Sequence, residues 1–458
     1  MDLADREQRR SRAEGMLEGL AARGVEVVAT TFVDNSGIAR VKSVPLRRLP
    51  QLASWGAGFS TSFDRFRFDD WIAGSGQGTE PVGDLRIVPD LDRVVPLAAQ
   101  PGWAWAPGER YLQSGEPHPQ CSRLLLARLT EALAAQAITA RCAVEIEWVV
   151  SDGAGEEFRP GFVGSGYGMS RLIAGSDYCR DVVTSLEHEG IEVEQFHPEY
   201  APGQLEVAVS SESPVAAADT SVLVRSTIRA VGARHGLRTS FSPKVDVSGV
   251  GNGGHAHLSL WRDGLNLMSG GDRRCGLTAE GESFAAGVLQ RLPALLAVGC
   301  PSPASYLRLV PSHWAGDYAC WGLENREAAL RMVTGSEGSA PWAANLEVKC
   351  VDLLANPYLL FAGLMAAGLA GLEDHSELPD PVDVDPAALG EETLAERGIE
   401  RLPTDLGTAL EAFRADEVLT RAFGPDLVAS IVAVRASEIE LFAESSDEEI
   451  ADALRWVH

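Results

Sequence analysis

The hydrophobic and polar residues in the middle of the chain alternate in a way that predicts a strand. The run 142–150 is dominated by apolar and β-branched residues, and the turn-forming residues 151–153 close it. Because side chains alternate across a strand, Glu145 and Glu147 are expected on the same face. Adjacent carboxylates repel each other unless a cation lies between them or water solvates the face. This stretch alone leaves both interpretations open.

The pattern before and after this strand predicts two regions. A charged helix-prone segment and a set of short strands indicate an N-terminal helix over residues 1–24 and a small β-rich domain over 25–107. Residues 108–458 form a larger region in which strands alternate with Ala/Leu-rich helices. The helices are predicted at about 122–135, 181–189, 216–235, 281–298 and 356–372, and in most of the tail over 406–457.

Charge and composition exclude several classes of partner. The chain has 458 residues, 45% of them hydrophobic, and a formal net charge of -26. Such acidity argues against nucleic acid and is compatible with cationic substrates or metal ions, or simply with solubility. The seven cysteines are scattered and never in C-x-x-C spacing, which favours reduced thiols. Without an apolar signal core or a membrane-length apolar run, the protein is predicted to be cytoplasmic, with no membrane partner.

Three further stretches carry residues that bind metals. Each has an ordinary explanation by itself, such as a hydrogen-bonded histidine pair or a solvated strand face. Together with Glu145 and Glu147, they could bring five carboxylates and an imidazole to one place. Oxygen-rich sites of this kind suit Mg²⁺ or Mn²⁺ better than a structural zinc, and two such ions could hold a polyphosphate. The stretches are 197–206 with Glu199 and Glu206, 255–259 with His255, His257 and Ser259, and 346–349 with Glu347 and Lys349.

Arginines and glycines complete the candidate chemistry. Arg308, Arg326 and Arg331 have the guanidinium geometry that matches phosphates and carboxylates, although surface pairs with neighbouring glutamates are an alternative.

The run 249–254 matches G-x-G-x-x-G, but a strand-like segment follows it instead of a helix. A dinucleotide-binding fold is therefore not expected. We expect instead that these glycines form a flexible loop beside the histidine strand.

In their order along the chain, these motifs resemble those of the glutamine synthetase family, and most closely its γ-glutamylpolyamine synthetase branch. The resemblance implies an α+β fold: a small N-terminal β-grasp domain over 25–107, and a catalytic domain over 108–458 with a curved antiparallel sheet and flanking helices. It also implies two stacked hexameric rings. The motifs are Glu145-x-Glu147, His197-Pro-Glu199 with Pro202-Gly-Gln-x-Glu206, Gly253-Gly-His255-x-His257-x-Ser259, Asn325-Arg326 with Arg331, and Glu347-Val-Lys349.

The resemblance also assigns roles to residues. It implies ATP and two Mg²⁺ or Mn²⁺ ions per active site, and a reaction in which ATP phosphorylates the γ-carboxylate of L-glutamate before an amine displaces phosphate. The first metal would be held by Glu147, Glu199 and Glu206, and the second by Glu145, His255 and Glu347. His257, Ser259 and Arg331 would contact the nucleotide, Gly251, Arg308 and Lys349 the glutamate, and Arg326 the transferred phosphoryl group.

The sequence departs from the family pattern at positions that bear on the amine. Trp314 stands where ammonia-using members carry a flap glutamate, and the segment 59–64 lacks their Asp-Gly-Ser-Ser pattern. An indole neither attracts ammonium as a carboxylate does nor accepts its proton, but it suits an alkylammonium chain. Asp64 is a candidate for the missing base. Lys349 and Asn345 replace arginines expected at the glutamate and nucleotide sites.

These departures favour a polyamine or diamine as the acceptor. Three alternatives stay open at this point: a monoamine or ethanolamine acceptor, authentic glutamine synthesis, and a glutamine synthetase-like regulator that binds metabolites without turnover. The presence of all six metal-ligand positions argues against a pure regulator.

Overall fold

The N-terminal helix forms where the sequence predicts it, and a β-hairpin follows it. The computed structural model describes residues 1–74, 82–153 and 155–458. Helix α1 (Leu3–Ala22) begins with a capping box between Asp2 and Asp5. Strands β1 (Val27–Val33) and β2 (Ala39–Pro45) pair in antiparallel fashion. The carboxylate of Asp34 holds the turn between them, because its Oδ1 accepts from the backbone N–H groups of residues 36 and 38.

The hairpin belongs to an N-terminal sheet that extends beyond the predicted domain boundary. Strand β6 (Trp103–Leu112) runs parallel to β1 and antiparallel to β4, and the boundary predicted between residues 107 and 108 lies within it. The division of the chain at this point stays a prediction, and residues 75–81 of the predicted domain lie outside the described residues. The strand order of this sheet is β2-β1-β6-β4-β3, and β5 pairs with β6. The other elements of this region are α2 (Leu49–Trp55), β3 (Ala57–Ser60), β4 (Asp84–Pro89) and β5 (Val95–Pro96).

Two sheets form the rest of the β structure, and the chain passes from one to the other at Glu145. The predicted single strand is two strands, β7 (Thr139–Val144) and β8 (Ile146–Asp152). β7 pairs with β12 (Ala256–Arg262), whereas β8 pairs with β10 (Gln204–Val209).

The remaining strands complete these two sheets. The first sheet has the strand order β11-β8-β10-β9. The second has the strand order β13-β12-β16-β15-β14, and β7 also pairs with β12. All strand pairs in the two sheets are antiparallel except β14–β15, which is parallel. Their ranges are β9 (Val193–Pro198), β11 (Leu237–Ser240), β13 (Leu265–Asn266), β14 (Tyr318–Leu323), β15 (Ala328–Val333) and β16 (Asn345–Val348).

Helices cover the sheets and form the main core. α7 (Ala279–Gly299) and α10 (Pro357–Glu373) are apolar on nearly all sides, as expected of buried helices. They approach closely at two glycines, because a Cβ atom on Gly287 would lie 2.7 Å from the Cα of Gly371. The other helices here are α3 (Ser122–Ala134), α4 (Met169–Ala174), α5 (Ser176–His188), α6 (Pro214–Arg234), α8 (Pro303–Tyr306) and α9 (Ala340–Ala343), so each helix predicted in this part of the chain is confirmed.

The C-terminal tail is mainly helical, as predicted. It contains α11 (Glu391–Glu396), α12 (Leu406–Ala415), α13 (Glu417–Phe423), α14 (Pro425–Leu441) and α15 (Asp447–Leu454). The seven cysteines all lie in the described part of the chain and are free thiols. Among the described helices, none combines the length and the apolar character needed to cross a membrane.

Candidate active site

A cavity of about 690 Å³ opens where the two sheets meet. It is more polar than a typical ligand pocket, because carboxylates and basic side chains dominate its lining. All six residues predicted to hold metal ions line it: Glu145, Glu147, Glu199, Glu206, His255 and Glu347. Six further predicted residues line it as well: Gly251, Arg308, Trp314, Arg326, Arg331 and Lys349.

One group of metal-type ligands lies on β9 and β10. His197, Glu199 and Glu206 bring one ligand atom each to within 4.8 Å of one another. The imidazole Nε2 of His197 is 3.1 Å from a carboxylate oxygen of Glu206. Burial raises the pKa of Glu206 to about 7, and the hydrogen bond to Glu206 raises the pKa of His197 to about 9. The Tyr167 hydroxyl donates to Oε1 of Glu199 at 2.5 Å.

A second group lies at the end of β7 and on β12 and β16. Nδ1 of His255 is 2.8 Å from Oε1 of Glu145 and 3.4 Å from Oε1 of Glu347. Nε2 of His257 approaches the other oxygen of Glu145 at 3.7 Å. Burial alone would raise the pKa of Glu145, but the hydrogen bond from His255 and the nearby His257 lower it to about 2. Burial likewise opposes ionisation of Glu347, but Lys349 and the histidines hold its pKa well below the usual range.

The geometry of both groups fits divalent cations. Glu145, Glu147 and His255 form one ligand triplet, and Glu145, His257 and Glu347 form another. Two buried ligand atoms, Oε2 of Glu199 and Nε2 of His257, find no hydrogen-bond partner among the residues that the structure describes. Buried polar atoms of this kind are normally satisfied, so an oxygen-binding cation explains them well.

The observed grouping differs in two respects from the one implied by the resemblance. Glu147 lies with Glu145 and His255, although its strand position is directly opposite Glu206 on β10. His197 and His257 also take part in the triplets, which the resemblance did not imply. The assignment of particular residues to a first and a second ion therefore stays a prediction.

The glycine run forms a loop beside the histidine strand, as predicted, and its glycines permit close backbone approach. A Cβ atom on Gly253 would lie 2.4 Å from Nε2 of His255 and 2.9 Å from Oε1 of Glu147. With no side chain there, the backbone N–H of Gly253 donates to Oε2 of Glu147 at 2.8 Å. The carbonyl of Gly251 accepts from the Gln204 side chain at 3.1 Å. These contacts bring backbone groups of the loop directly to the carboxylates.

The basic side chains are arranged around Glu347 and His255. Nη1 of Arg331 and Nζ of Lys349 donate to opposite oxygens of Glu347, at 3.0 and 3.1 Å. Arg308 is buried, and its Nη2 lies 3.1 Å from Nε2 of His255. Arg326 is exposed at the mouth of the cavity, where it is free to meet an anionic ligand.

Of the three remaining residues predicted to bind nucleotide, His257 and Ser259 lie on β12 and Asn345 begins β16. Nδ1 of His257 is 2.9 Å from Oδ1 of Asn345, so these two side chains contact each other. Ser259 accepts a hydrogen bond from the indole of Trp261 at 2.9 Å. None of His257, Ser259 and Asn345 is in the lining of the cavity as described. Their role toward a nucleotide stays a prediction.

Trp314 lies on the other side of the cavity and is paired with a second aromatic ring. Its ring centroid is 5.5 Å from that of Tyr200, and both side chains are about half exposed. The segment before it is tightly turned, since Ser312 and Trp314 have φ angles of 58° and 57°. This aromatic pair forms an open wall where the family pattern has a carboxylate.

The prediction of Asp64 as a base is not supported by its position. Asp64 is 2% exposed and lies in the N-terminal region, outside the lining of the cavity. Its carboxylate pairs with Arg110 and, at 2.7 Å, with Nε2 of His118. Burial would raise the pKa of Asp64, but these two partners outweigh it and hold the pKa below its usual range. Asp64 is therefore a partner in a buried ion pair in this chain.

Several residues that build the site were not assigned a role from the sequence. Tyr167 and Gln204 each bond to a carboxylate of the metal groups, at 2.5 Å to Glu199 and 2.9 Å to Glu147. Arg171 is buried and donates to backbone carbonyls of residues 199 and 201, which holds the turn between β9 and β10. A buried arginine cannot be recognised from a surface-like sequence pattern, and the partners of Tyr167 are distant along the chain.

Comparison with known proteins identifies the family. Residues 119–452 match the model of the glutamine synthetase catalytic domain. The chain belongs to the glutamine synthetase family. The fold and family expected from the sequence motifs are thereby confirmed.

Individual members of the glutamine synthetase family extend the match to nearly the whole chain. The chain is 54% identical to a γ-glutamylpolyamine synthetase of Streptomyces coelicolor, over 97% of this chain and 96% of the relative. It is 31% identical to a glutamine synthetase of Pyrococcus furiosus, over 93% and 92% of the two chains. Among solved structures, a glutamine synthase homologue aligns with a TM-score of 0.85 and 33% identity, covering 95% of this chain and 99% of that one. A GmaS–ADP complex aligns with a TM-score of 0.82 and 27% identity, covering 94% and 97%.

Proposed function

We propose that this protein is an ATP-dependent ligase that joins the γ-carboxyl group of L-glutamate to the amino group of a polyamine or diamine. ATP phosphorylates the γ-carboxylate, and the amine then displaces phosphate to form a γ-glutamyl amide. The observation that carries the proposal is the composition of one cavity. Two groups of metal-type ligands lie in it together with the Trp314–Tyr200 wall, and a relative 54% identical is a γ-glutamylpolyamine synthetase.

The phosphoryl-transfer half of the site is built from the carboxylates and histidines. Glu145, Glu147, Glu199, Glu206, His255 and Glu347 would hold two Mg²⁺ or Mn²⁺ ions, with His197 and His257 beside them. Such ions neutralise charge on a transferred phosphoryl group.

The basic side chains orient these ligands and face the anionic substrates. Arg331 and Lys349 keep Glu347 ionised and fix both of its oxygens. Arg308 fixes the ring of His255, and exposed Arg326 is free to contact the phosphoryl group.

The acceptor half of the site favours an aliphatic amine. Ammonium needs a negative wall, whereas the two rings of Trp314 and Tyr200 offer apolar and cation–π contacts to an alkylammonium chain. Glu327 lies behind this wall and is committed to the backbone of Trp314. Asp64 lies in a buried ion pair with Arg110 and His118, and its role as the base stays a prediction.

Assembly and location follow from the family resemblance. We expect two stacked hexameric rings in the cytoplasm, and mass photometry of the purified protein tests the first expectation. A particle of twelve chains of 48.9 kDa is the expected result. A monomer or dimer that retains full activity would contradict it.

The decisive experiment measures phosphate release from ATP with glutamate, Mg²⁺ and a panel of amines. The panel contains ammonium, ethanolamine, putrescine, cadaverine, spermidine and spermine. Turnover confined to the di- and polyamines supports the proposal. Turnover with ammonium alone would identify a glutamine synthetase, and turnover with ethanolamine alone a monoamine ligase. No turnover with any amine, from a protein that still binds ATP, would favour a metabolite-binding regulator.

Replacement of Trp314 tests the acceptor half separately. Trp314→Ala should raise the KM for the preferred amine about tenfold or more, because an exposed cation–π contact contributes about 1 kcal/mol and apolar contact adds to it. The KM for ATP should change little. Trp103→Ala, at a tryptophan of the N-terminal sheet that is also partly exposed, is the matched control. An equal loss with every substrate would contradict this role for Trp314.

A further inference from the structure

Two more cavities continue from the catalytic one along the same face of the protein. The first, of about 610 Å³, shares His313 with the catalytic cavity, and its residue Gly249 directly precedes two residues that line the catalytic cavity. The second, of about 550 Å³, shares Val247 with the first. We call these two cavities together the distal groove. The shared residues place it next to the entrance beside Trp314.

The part of the distal groove nearest the catalytic cavity is largely apolar. Leu307 and Val310 line it from the segment before Trp314, and Ile439 and Phe442 line it from the end of α14. Surfaces of this kind suit the methylene segments of an aliphatic chain. They offer little to a nucleotide or a sugar, whose polar groups would be left without partners.

Acidic side chains also line the distal groove. Asp405 and Asp447 line the first cavity, and Glu156, Glu448 and Asp452 line the second. Glu156 and Asp452 are exposed but pair with Arg238 and Arg455. Asp447 and Glu448 are exposed at the start of α15, where a cation can approach their carboxylates from solvent.

Two basic side chains also line the groove, and both have partners. Lys244 donates to the carbonyl of Gly249 within its own loop. Arg455 donates to the carbonyl of Val245 at 2.8 Å and pairs with Asp452. Carboxylates outnumber these two cations in the lining, so the groove is electronegative and attracts cations.

We propose that the distal groove binds the remote ammonium groups of a long polyamine while its reactive amino group lies in the catalytic cavity. The inference rests on the proposed function and predicts that linear polyamines with three or more amino groups bind more tightly than diamines. The methylene segments match the apolar side chains of the groove, and the ammonium groups match its carboxylates. A four-carbon diamine is too short to use the groove, so its turnover depends on the catalytic cavity alone.

The test compares spermine with putrescine in a variant of the groove. Asp447→Asn combined with Glu448→Gln removes two exposed carboxylates from the first turn of α15. The KM for spermine should rise about tenfold, with kcat unchanged, because local carboxylates steer and hold the cation. The KM for putrescine should change by less than about twofold, since exposed charges farther away than a Debye length are screened.

The matched control is Glu391→Gln combined with Glu392→Gln, which removes the same charge from the first turn of α11, outside the groove. An equal effect of the control, or an equal rise for both amines in the groove variant, would overturn the inference and leave the proposed function intact. Wild-type protein that turns over no polyamine would overturn both. Calorimetric titration of spermine should show the same weakening in the groove variant without turnover.

Discussion

Both carboxylate oxygens of Glu327 accept the backbone N–H of Trp314, each at 3.1 Å. This contact joins the strand-connecting segment that carries Arg326 to the turn that carries the indole. The turn has two residues with positive φ, which side-chain-bearing residues rarely adopt without support. Glu327 therefore supports the turn that positions Trp314.

Removal of Glu327 should loosen this turn. Glu327→Ala is expected to raise the KM for the amine roughly tenfold, which corresponds to the loss of one hydrogen bond to a charged acceptor at a half-exposed position. The KM for ATP should stay near its original value. Steady-state kinetics with the preferred amine and with ATP measure the difference.

Two variants test whether Glu327→Ala raises the KM for the amine by displacing Trp314. Glu327→Gln keeps one acceptor oxygen and should restore most of the amine affinity. Glu337→Ala changes an exposed glutamate of the neighbouring loop and should have no effect. A loss in kcat alone, with unchanged KM for the amine, would contradict a positioning role.

Glu347 is the most constrained ligand of the site. It is 2% exposed and is held between Arg331 and Lys349. Glu347→Gln leaves two buried cations without their partner and weakens cation binding, so phosphate release should fall at least about 100-fold. Circular dichroism checks that the variant is folded, and Mn²⁺ titration followed by electron paramagnetic resonance measures the lost metal affinity.

Glu324→Gln is the control for this prediction. Glu324 also pairs with Arg331, at 2.7 Å, but it is exposed and lies outside the cavity lining. Its replacement should reduce turnover by less than about tenfold, as expected of an exposed ion pair. Near-normal turnover in Glu347→Gln would exclude Glu347 as a ligand.

Glu438 should make stability depend on pH. It is 2% exposed on α14 and accepts from the hydroxyl of Ser36, which links the N-terminal turn to the C-terminal helices. Burial raises the pKa of Glu438 from 4.5 to about 7. Between these values the folded chain binds the proton more tightly than the unfolded chain, so this carboxyl lowers the free energy of unfolding as the pH rises.

Replacement of Glu438 should remove this part of the pH dependence. Glu438→Gln should gain up to about 3 kcal/mol relative to the wild type between pH 5 and pH 8. Urea unfolding at fixed protein concentration and several pH values measures the gain. Glu440→Gln, an exposed change on the same helix, should leave the shape of the pH curve as it is. A gain independent of pH would refute the assignment to Glu438.

The contact between α7 and α10 should not tolerate a methyl group. Gly287→Ala places Cβ 2.3 Å from the carbonyl oxygen of Ala367 and 2.7 Å from Gly371, both of which are backbone atoms. Such overpacking costs about 1–3 kcal/mol. Thermal unfolding should show a lower Tm, whereas Gly19→Ala on α1, with open space around it, should be neutral or stabilising.

The sequence predicts those parts of the site that depend on local periodicity. Strand alternation correctly brings Glu145 and Glu147 to one cavity, and spacing brings His255 there. The passage between sheets at Glu145 was not predicted, because no turn residue marks it. It arises from the pairing of β7 with β12 and of β8 with β10, which are remote in the chain.

Contacts between remote residues explain the other differences. Asp64 looks available in the sequence, and only the fold brings Arg110 and His118 to it. The sequence marks Trp314 as unusual, but its contact with Tyr200 depends on how two loops meet. The bonds of Tyr167 and Gln204 to the carboxylates have the same origin.

The change of sheet at Glu145 fixes the position of the metal-type ligands, whereas the residues predicted to contact the amine lie elsewhere and can vary. Glu145 and Glu147 are joined covalently through one residue: Glu145 directly follows β7, and Glu147 lies on β8. The pairing of β8 with β10 places Glu147 opposite Glu206, so the backbone of this sheet sets the separation between the two groups of ligands. Trp314, Tyr200 and the distal groove lie mainly on loops and helix ends. Substitutions there can exchange one acceptor for another while the place of phosphoryl transfer stays where it is.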